Sequence, residues 1–236
     1  MSENNFDAYL NISFDKLIVS VFRKFDGENI FLKEYNCLTN FNKNHLNFNN
    51  LEKILQNSIR EIEKATNSFL KEIYLMIDTE ESMPIYLSIA KDNEGNRIDK
   101  KIVQYLVRDA KQQILRSYFD KNIIHIIIEK YIIDYVEYSY LPLNISCKKI
   151  SIDIKFVCFP KHLIKKVDQL FNDHQILVNK IICSKYAKKF NIDNYEANIC
   201  KIGFDLNSGL NKQEVVIIPK ILNKKGFFER LFHFFK

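Results

Sequence analysis

Apolar and polar residues alternate over two long neighbouring runs of the sequence, residues 122–138 and 144–159. Within the second run, Ile150, Ile152 and Ile154 are separated by polar residues. Side chains of a strand point alternately to the two faces of a sheet, so this spacing places the isoleucines on one buried face. The two runs predict long strands joined by a short turn, and they exclude an all-helical fold.

Helical patterns interrupt these strand-like runs. Apolar side chains recur at helical spacing over residues 51–62, and Asp99 is placed to cap a helix over residues 100–118. An Asp26-Gly27 pair between two β-branched runs predicts a hairpin. In chain order we expect the hairpin 11–22 and 29–35, helix 51–62, strands 72–78 and 85–90, helix 100–118, strands 122–138 and 144–159, helix 162–171, strand 176–182, helix 184–190 and strand 214–218. This mixed order predicts an α+β fold.

Composition excludes several classes of function. The sequence has only five glycines in 236 residues, so neither the G-x-G-x-x-G nor the G-x-x-x-x-G-K-[ST] phosphate loop occurs in it. The formal net charge of +6 is dispersed along the sequence, and no nucleic-acid partner is expected. Five single cysteines favour a reducing compartment, and the five histidines lack ligand spacing, so no metal site is expected. No signal peptide or membrane-spanning run is expected either.

Three pairs of side chains could carry chemistry, and each has a plainer structural interpretation. His125 and Glu129 could form a base with its orienting acid, but residues four apart on a strand lie about 13 Å apart, so a partly buried structural histidine is expected. Cys158 and His162 could form a nucleophile and its base, although nothing in the sequence supplies an oxyanion hole. The third pair is acidic and is expected to face solvent: Asp134 and Glu137.

The order of elements and one dense motif resemble the bacterial cell-division protein FtsA, an actin-like membrane adaptor. The motif is the run 125–135, H-I-I-I-E-K-Y-I-I-D-Y, where that family has His-x-Ile-x-x-x-Tyr-x-Ile-Asp ahead of a turn that contains proline, here Pro142. The helix that opens at Ile98-Asp99 lies where the family places its interdomain helix. The resemblance covers roughly residues 10–209 and then the C-terminal tail.

The resemblance implies an α+β fold that contains half of an actin-like, ribonuclease H-like lobe. A strand-helix-strand-strand (SHS2) module would be inserted in that lobe, and a C-terminal amphipathic helix would follow it. The implied boundaries are 8–82 and 161–219 for the two parts of the lobe, 83–160 for the module, and 220–236 for a basic tether and the membrane helix.

FtsA and its actin-like relatives bind ATP between two lobes, and the resemblance implies that the nucleotide turns are degenerate here. In the first turn, Asn11 and Ser13 replace the family's acid and glycine, while Lys16 remains. The second turn keeps Asp205 and one glycine, Gly209. A backbone that closely approaches a phosphate needs glycine, and the second lobe is not in this chain. We therefore expect no bound nucleotide or other cofactor, and no enzymatic activity.

The resemblance also implies partners. In the family the module makes contacts between protomers and engages later division proteins, so we expect self-association through an exposed strand edge between residues 83 and 160. The alternative is that this edge packs against the strand 176–182 of the same chain. The family further implies the tubulin-like FtsZ as a partner, although the lobe that binds its C-terminal peptide is not in this chain.

The C-terminal segment is basic and rich in phenylalanine. At roughly 100° per residue, its six large apolar side chains fall within one arc of about 160°, and the polar side chains fill the opposite side. This pattern predicts a helix that lies in the plane of an anionic membrane surface, and it matches the membrane-targeting helix of FtsA in position and type. The predicted membrane-binding residues are Lys224, Lys225, Phe227, Phe228, Arg230, Leu231, Phe232, Phe234, Phe235 and Lys236.

These features predict a non-enzymatic peripheral membrane scaffold of bacterial cell division, at the cytoplasmic face of the inner membrane and at the division site. The alternative is a cytoplasmic scaffold of a pilus- or secretion-type assembly, since such machines also use actin-like pieces. An enzyme with an unfamiliar site is the third hypothesis, and an ATP-binding measurement separates it from the other two.

Overall fold

The computed structural model of this chain describes residues 5–36, 46, 48–190 and 198–215. The strands in these residues are β1 (Phe6–Ile12), β2 (Lys16–Arg23), β3 (Asn29–Asn36), β4 (Glu72–Ile77), β5 (Met83–Asp92), β6 (Lys121–Ile133), β7 (Val136–Tyr138), β8 (Lys149–Pro160) and β9 (Leu177–Cys183). The helices are α1 (Phe48–Thr66), α2 (Lys100–Ser117), α3 (Lys161–Asn172), α4 (Ser184–Ala187), which continues as a 3-10 turn, and α5 (Ile199–Asn207).

The first sheet has five strands in the order β3-β2-β1-β4-β9. Strands β1, β2 and β3 form an antiparallel meander, and β4 and β9 then continue the sheet parallel to β1. Strand β4 is a nearly continuous apolar run, as expected for a strand that is buried on both faces.

Helices cover both faces of the first sheet. On β3, Lys33 and Tyr35 bond to Glu61 of α1. On β2, Ser20 and Phe22 contact α5, through a hydrogen bond from Asn198 and a ring contact with Phe204. Lys33 lies opposite Val19 of β2, and residues that lie opposite each other share a face of the sheet. Helix α1 therefore covers the face of the odd-numbered β2 residues, and α5 covers the face of the even-numbered ones, Ser20 and Phe22.

The second sheet is antiparallel, with the order β5-β8-β6-β7, and α2 covers one of its faces. Asp99 caps α2 by accepting a hydrogen bond from the Ile102 N–H at 3.0 Å. The alternating isoleucines of β8 point to this helix and are buried, as the sequence spacing predicts. The sheet and α2 together span Met83–Pro160.

The molecule has two apolar cores, and the second sheet contributes to both. Its face towards α2 fills the second core, whereas Ile127, Val157 and Phe159 on the opposite face belong to the core of the first sheet. The second sheet therefore packs directly against the first unit, and its strand β6 contacts β9.

The predicted helices and most predicted strands are confirmed, but three of the strand predictions are wrong in detail. Residues 11–22 do not form one strand, because the Ser13 side chain accepts a hydrogen bond from the Lys16 N–H at 3.2 Å and closes a turn between β1 and β2. Residues 122–138 form the β6-β7 hairpin, since Asp134 and Tyr135 both have positive φ, at 45° and 72°.

The second predicted long strand, residues 144–159, is also shorter than predicted. The second long run becomes β8 only from Lys149, and β8 lies between β5 and β6. Both of its edges are consequently paired, and β5 instead forms an outer edge of the sheet. Residues 198–206, to which the sequence analysis assigned no structure, form α5.

Other predictions fall wholly or partly on residues that the structure does not describe. Of the predicted strand 214–218, Glu214 forms a bridge with Ile127 and Val215 is described, and the rest lies outside the described residues. The tether and membrane helix, residues 220–236, lie entirely outside them.

Candidate functional site

An open cleft of about 700 Å³ lies where strands β1 and β4 end. Ligands of open α/β sheets commonly bind outside the carboxyl ends of parallel strands, and β1 and β4 are parallel neighbours. The lining side chains come from the end of β1, the β1-β2 turn, β2, β3, the end of β4, the 3-10 turn after α4 and the start of α5. The cleft is thus the place where this fold would hold a small ligand.

The structure brings three predicted site residues together in this cleft: Asn11, Ser13 and Lys16. Asn11 is buried, and its side-chain oxygen accepts a hydrogen bond from the Ser184 hydroxyl at 2.6 Å. The Ser13 hydroxyl lies 2.7 Å from the Asp15 carboxylate and accepts the Lys16 N–H. The polar groups of the turn are therefore bonded to one another and to the start of α4.

The two lysines of the cleft are paired with carboxylates. Lys16 Nζ lies 3.2 Å from Glu34 on β3, and Lys188 Nζ lies 2.6 Å from Asp78 at the end of β4. With Asp15 included, the lining carries three carboxylates against two ammonium groups. The field in the cleft is therefore not one that attracts a free polyphosphate, which binds best to unpaired cations and free backbone N–H groups.

The other two predicted residues, Asp205 and Gly209, do not line the cleft. Asp205 belongs to α5 and pairs with Lys201 at 2.8 Å, and Gly209 follows the helix with φ of +94°. Asn198, at the start of α5, does line the cleft. At 1.5 Å per residue, Asp205 is about 10 Å further along the helix axis, so the two presumed turns do not face each other.

The described ranges hold neither a metal-binding cluster nor a membrane-spanning helix. Residues 5–36, 46, 48–190 and 198–215 contain no group of three or more His, Cys, Asp or Glu side chains arranged to hold a metal ion. Over the same ranges, none of the helices is both long enough and apolar enough to cross a bilayer.

A second polar cluster is buried at the junction of the two sheets. His125 of β6 is 2% exposed, and its Nδ1 lies 2.9 Å from the Glu214 carboxylate. Its Nε2 accepts a hydrogen bond from the Cys183 N–H at the end of β9, also at 2.9 Å. A backbone N–H can only donate, so Nδ1 carries the imidazole proton and donates it to Glu214.

Glu214 also bonds to groups of the first unit. The Tyr186 hydroxyl of α4 donates to it at 3.0 Å, and Lys180 Nζ of β9 lies at 3.7 Å. Asn211 in turn donates to the Tyr186 hydroxyl at 2.6 Å. We call these residues, with His125, the junction cluster. It connects β6, β9, α4 and the segment 211–215.

Burial sets the protonation states of the junction cluster. It lowers the pKa of His125, although the hydrogen bond to Glu214 opposes that shift. Burial alone would raise the pKa of Glu214, but the bond to His125 and the Lys180 charge outweigh it and hold that pKa below its usual value. The cluster therefore holds a neutral imidazole beside an ionised carboxylate at neutral pH.

Sequence reasoning found His125 but missed its partner. Strand spacing argued against Glu129 as a partner, and the observed partner, Glu214, is 89 residues away in sequence. The one available signal was Glu214 itself, a carboxylate directly ahead of an apolar run. The histidine is more completely buried than expected.

The remaining candidate pairs are not catalytic arrangements. Cys158 is buried in the second core, where burial raises the pKa of its thiol to about 11. His162 is exposed on α3 and pairs with Glu81 at 3.2 Å. Asp134 is exposed and accepts the Lys148 and Lys149 N–H groups, so the prediction that it faces solvent is confirmed. Glu137 is likewise exposed, and it pairs with a lysine of β6.

Comparisons with known proteins found similarity in structure only. No protein-family model and no curated protein sequence matches this chain. A solved PilM–PilN type IV pilus biogenesis complex matches with a TM-score of 0.47 and 7% identity, over 78% of this chain and 48% of that one. The cytoplasmic domain of EpsL, an inner-membrane component of the type II secretion system of Vibrio cholerae, matches with a TM-score of 0.41 and 9% identity, over 81% and 60%.

A third solved structure, a Bacteroides thetaiotaomicron protein described as having an actin-like ATPase fold, matches with a TM-score of 0.33 and 10% identity, over 81% of this chain and 59% of that one. The chain thus spans about half to three fifths of the length of the structures it matches.

The fold itself follows from the topology. An antiparallel meander is continued by two parallel strands, and an antiparallel strand-helix-strand-strand module is inserted after β4. This is the α+β architecture expected for half of an actin-like lobe, and the predicted fold class is confirmed over the described residues. The predicted C-terminal helix lies outside them.

Proposed function

We propose that this protein is a non-enzymatic scaffold of a membrane-associated bacterial assembly, and that the cleft at the ends of β1 and β4 does not bind nucleotide. The supporting observation is that the polar groups of the cleft are already bonded: Ser13 to Lys16, Asn11 to Ser184, and both lysines to carboxylates. A phosphate would have to displace these internal bonds without gaining a glycine turn in return.

Calorimetric titration with Mg-ATP tests this part of the proposal. At protein concentrations near 100 μM, the titration detects any Kd between about 1 μM and 1 mM. We expect no saturable heat and no hydrolysis. Saturable binding that Lys16→Gln abolishes would overturn the proposal, because it would show that the cleft holds a nucleotide.

We place a pilus- or secretion-type assembly first among the machines that this scaffold could serve, and the cell-division machine second. Two of the matched structures are described as components of pilus and secretion systems, and none of the three is described as a division protein. Localisation of the protein in cells separates the two machines. A full-length fluorescent fusion in growing cells provides it: a band at midcell would favour division, whereas foci that form away from midcell favour the other assembly.

We further propose that the C-terminal segment anchors the scaffold at the cytoplasmic face of the inner membrane. The support is the complete separation of its apolar and charged side chains around a helix. Replacing Phe228 and Phe232 by Asp should move the protein from the pellet to the supernatant when it is sedimented with anionic vesicles. The double variant should keep the thermal midpoint of the parent protein.

The outer edge of β5 is the surface that we propose for pairing with a strand of a partner or of a second copy. Strand β5 pairs with β8 on one side only, and edges of this kind template the addition of a strand. Cys37 is first replaced by Ser, because it lies outside the described residues and the other four cysteines are buried. In that background, Tyr86→Cys on β5 should form disulfide-linked dimers, whereas Ser151→Cys on the central β8 should not. Equal crosslinking at both positions would contradict pairing at this edge.

A further inference from the structure

Helix α2 has an excess of cations over carboxylates. Its 18 residues contain five cations against one carboxylate, a net charge of +4 in a chain whose formal net charge is +6. The helix is therefore strongly positive, in contrast to α1, which has three cations and three carboxylates. The cations are Lys100, Lys101, Arg108, Lys111 and Arg116.

Three of these cations project from the side of α2 opposite the core. At roughly 100° per residue, the buried side chains centre on one direction, and Lys101, Arg108 and Arg116 fall within about 45° of the opposite direction. All three are exposed. The buried residues of the helix are Val103, Leu106, Val107, Ala110 and Ile114.

The five cations of α2 have no carboxylate partner among the described residues, in contrast to both lysines of the cleft. A cation without a counter-charge keeps its full attraction for an external anion. Large apolar side chains lie among them: Tyr105 is 52% exposed, Leu115 is 42% exposed, and Phe119, just beyond the helix, is 74% exposed. Lys91 adds a further cation, 4.1 Å above the Tyr105 ring.

The end of the described chain lies on the same module. The Val215 N–H donates to the Ile126 carbonyl at 2.8 Å, and the Val215 side chain packs against the core that α2 covers. The 21 residues that follow include the basic, Phe-rich segment of the sequence. The C-terminal segment, which has the same mixture of cations and large apolar side chains, therefore continues from a residue of the module that carries α2.

We propose that the outer face of α2 is a second membrane-binding surface, which lies on anionic lipid beside the C-terminal segment; this inference rests on the proposed membrane-bound scaffold. Cations gain from the negative surface potential, and exposed Phe and Leu side chains gain from entering the boundary between headgroups and acyl chains. Two contacts would fix the orientation of the module on the membrane, which a single contact does not do.

The test measures partitioning of the full-length protein onto vesicles of phosphatidylcholine with 30% phosphatidylglycerol. The test variant is Lys101→Gln/Arg108→Gln/Arg116→Gln. The control variant has the same net charge as the test variant, but its three replaced cations are exposed on α1 and α3: Lys53→Gln/Arg60→Gln/Lys165→Gln. Far-ultraviolet circular dichroism and the thermal midpoint show that each variant is folded.

The partition constant of the α2 variant should fall about 100-fold, at about 1 kcal/mol for each cation near the surface and 1.4 kcal/mol for each factor of ten. The control should change it less than about threefold. Equal partitioning of the two variants would overturn the α2 surface and leave the membrane-bound scaffold standing. If the wild-type protein does not bind anionic vesicles, both the α2 surface and the membrane-bound scaffold are wrong. If it binds duplex DNA through α2 and does not bind vesicles, the partner of α2 is nucleic acid and the membrane proposal is wrong.

Discussion

The cleft and the junction cluster are both polar, but they are built in opposite ways. The turn at one wall of the cleft, with Ser13 and Lys16, is built from near neighbours in sequence, and the Lys16–Glu34 pair at the rim is exposed to solvent. The junction cluster joins His125, Tyr186 and Glu214, which are far apart in sequence, and it is almost completely shielded from water. The β1-β2 turn of the cleft resembles a functional motif in sequence, whereas the hydrogen bonds of the junction cluster hold the two sheets together.

Solvent explains why these two regions should differ in energy. An exposed ion pair exchanges bonds to water for bonds to its partner, and the net gain is small. A buried donor or acceptor that loses its partner has no water to replace it, so the full desolvation cost appears. Stability measurements should therefore separate the two regions clearly.

The largest expected effect is at Glu214. Replacing it by Ala removes the acceptor of two buried donors, the His125 Nδ1–H and the Tyr186 hydroxyl. We expect the free energy of unfolding to fall by about 3 kcal/mol. Urea denaturation followed by circular dichroism measures this change. Glu214→Gln retains one acceptor and should lose less. The control is Glu34→Ala at the cleft, where a loss as large as that at Glu214 would break the comparison.

The next effect is a dependence on pH. Because burial lowers the pKa of His125, the unfolded chain binds one more proton than the folded chain below the ordinary histidine pKa of about 6.5. The stabilisation is therefore complete above that pH and is lost as the pH falls, by at most about 1.4 kcal/mol per unit. Glu214 adds nothing in this window, since its pKa lies below the usual carboxylate value.

Urea titrations between pH 7.5 and 5 check this expectation when the wild type is compared with His125→Gln. The wild type should lose more stability than the variant over that range. Parallel losses in the two proteins would show that the imidazole is not held in its neutral form.

The contrast between the regions also shows what a sequence can predict. Periodicity located α1, α2 and the buried face of β8, because these patterns depend only on neighbours along the chain. It failed at the Asp134-Tyr135 turn, where a tyrosine adopts a positive φ that its side chain disfavours. The register that brings His125 to Glu214 depends on how two sheets pack, and no local pattern contains that information.

One part of the cleft should behave like the junction cluster. Asn11 and Ser184 are both buried, and their side chains bond at 2.6 Å. Ser184→Ala leaves the Asn11 oxygen without this donor, and we expect the free energy of unfolding to fall by about 1 kcal/mol. The same measurement on Ser208→Ala, where the lost bond is exposed, should show a smaller change. Equal losses would mean that burial is not what distinguishes the two regions.

The smallest effects should come from the ion pairs at the rim of the cleft. The side chains of Lys16 and Glu34 are 39% and 55% exposed, and double-mutant cycles on pairs of this kind give about 0.2–1 kcal/mol. We expect Lys16→Gln, Glu34→Gln and the double variant each to change the free energy of unfolding by less than about 1 kcal/mol, and less still in 0.5 M salt, because salt screens exposed charges. A coupling energy that is large and insensitive to salt would mean that the pair is shielded from water. The polar groups of the cleft would then be shielded from water, as those of the junction cluster are, and the two regions would not differ in the way proposed here.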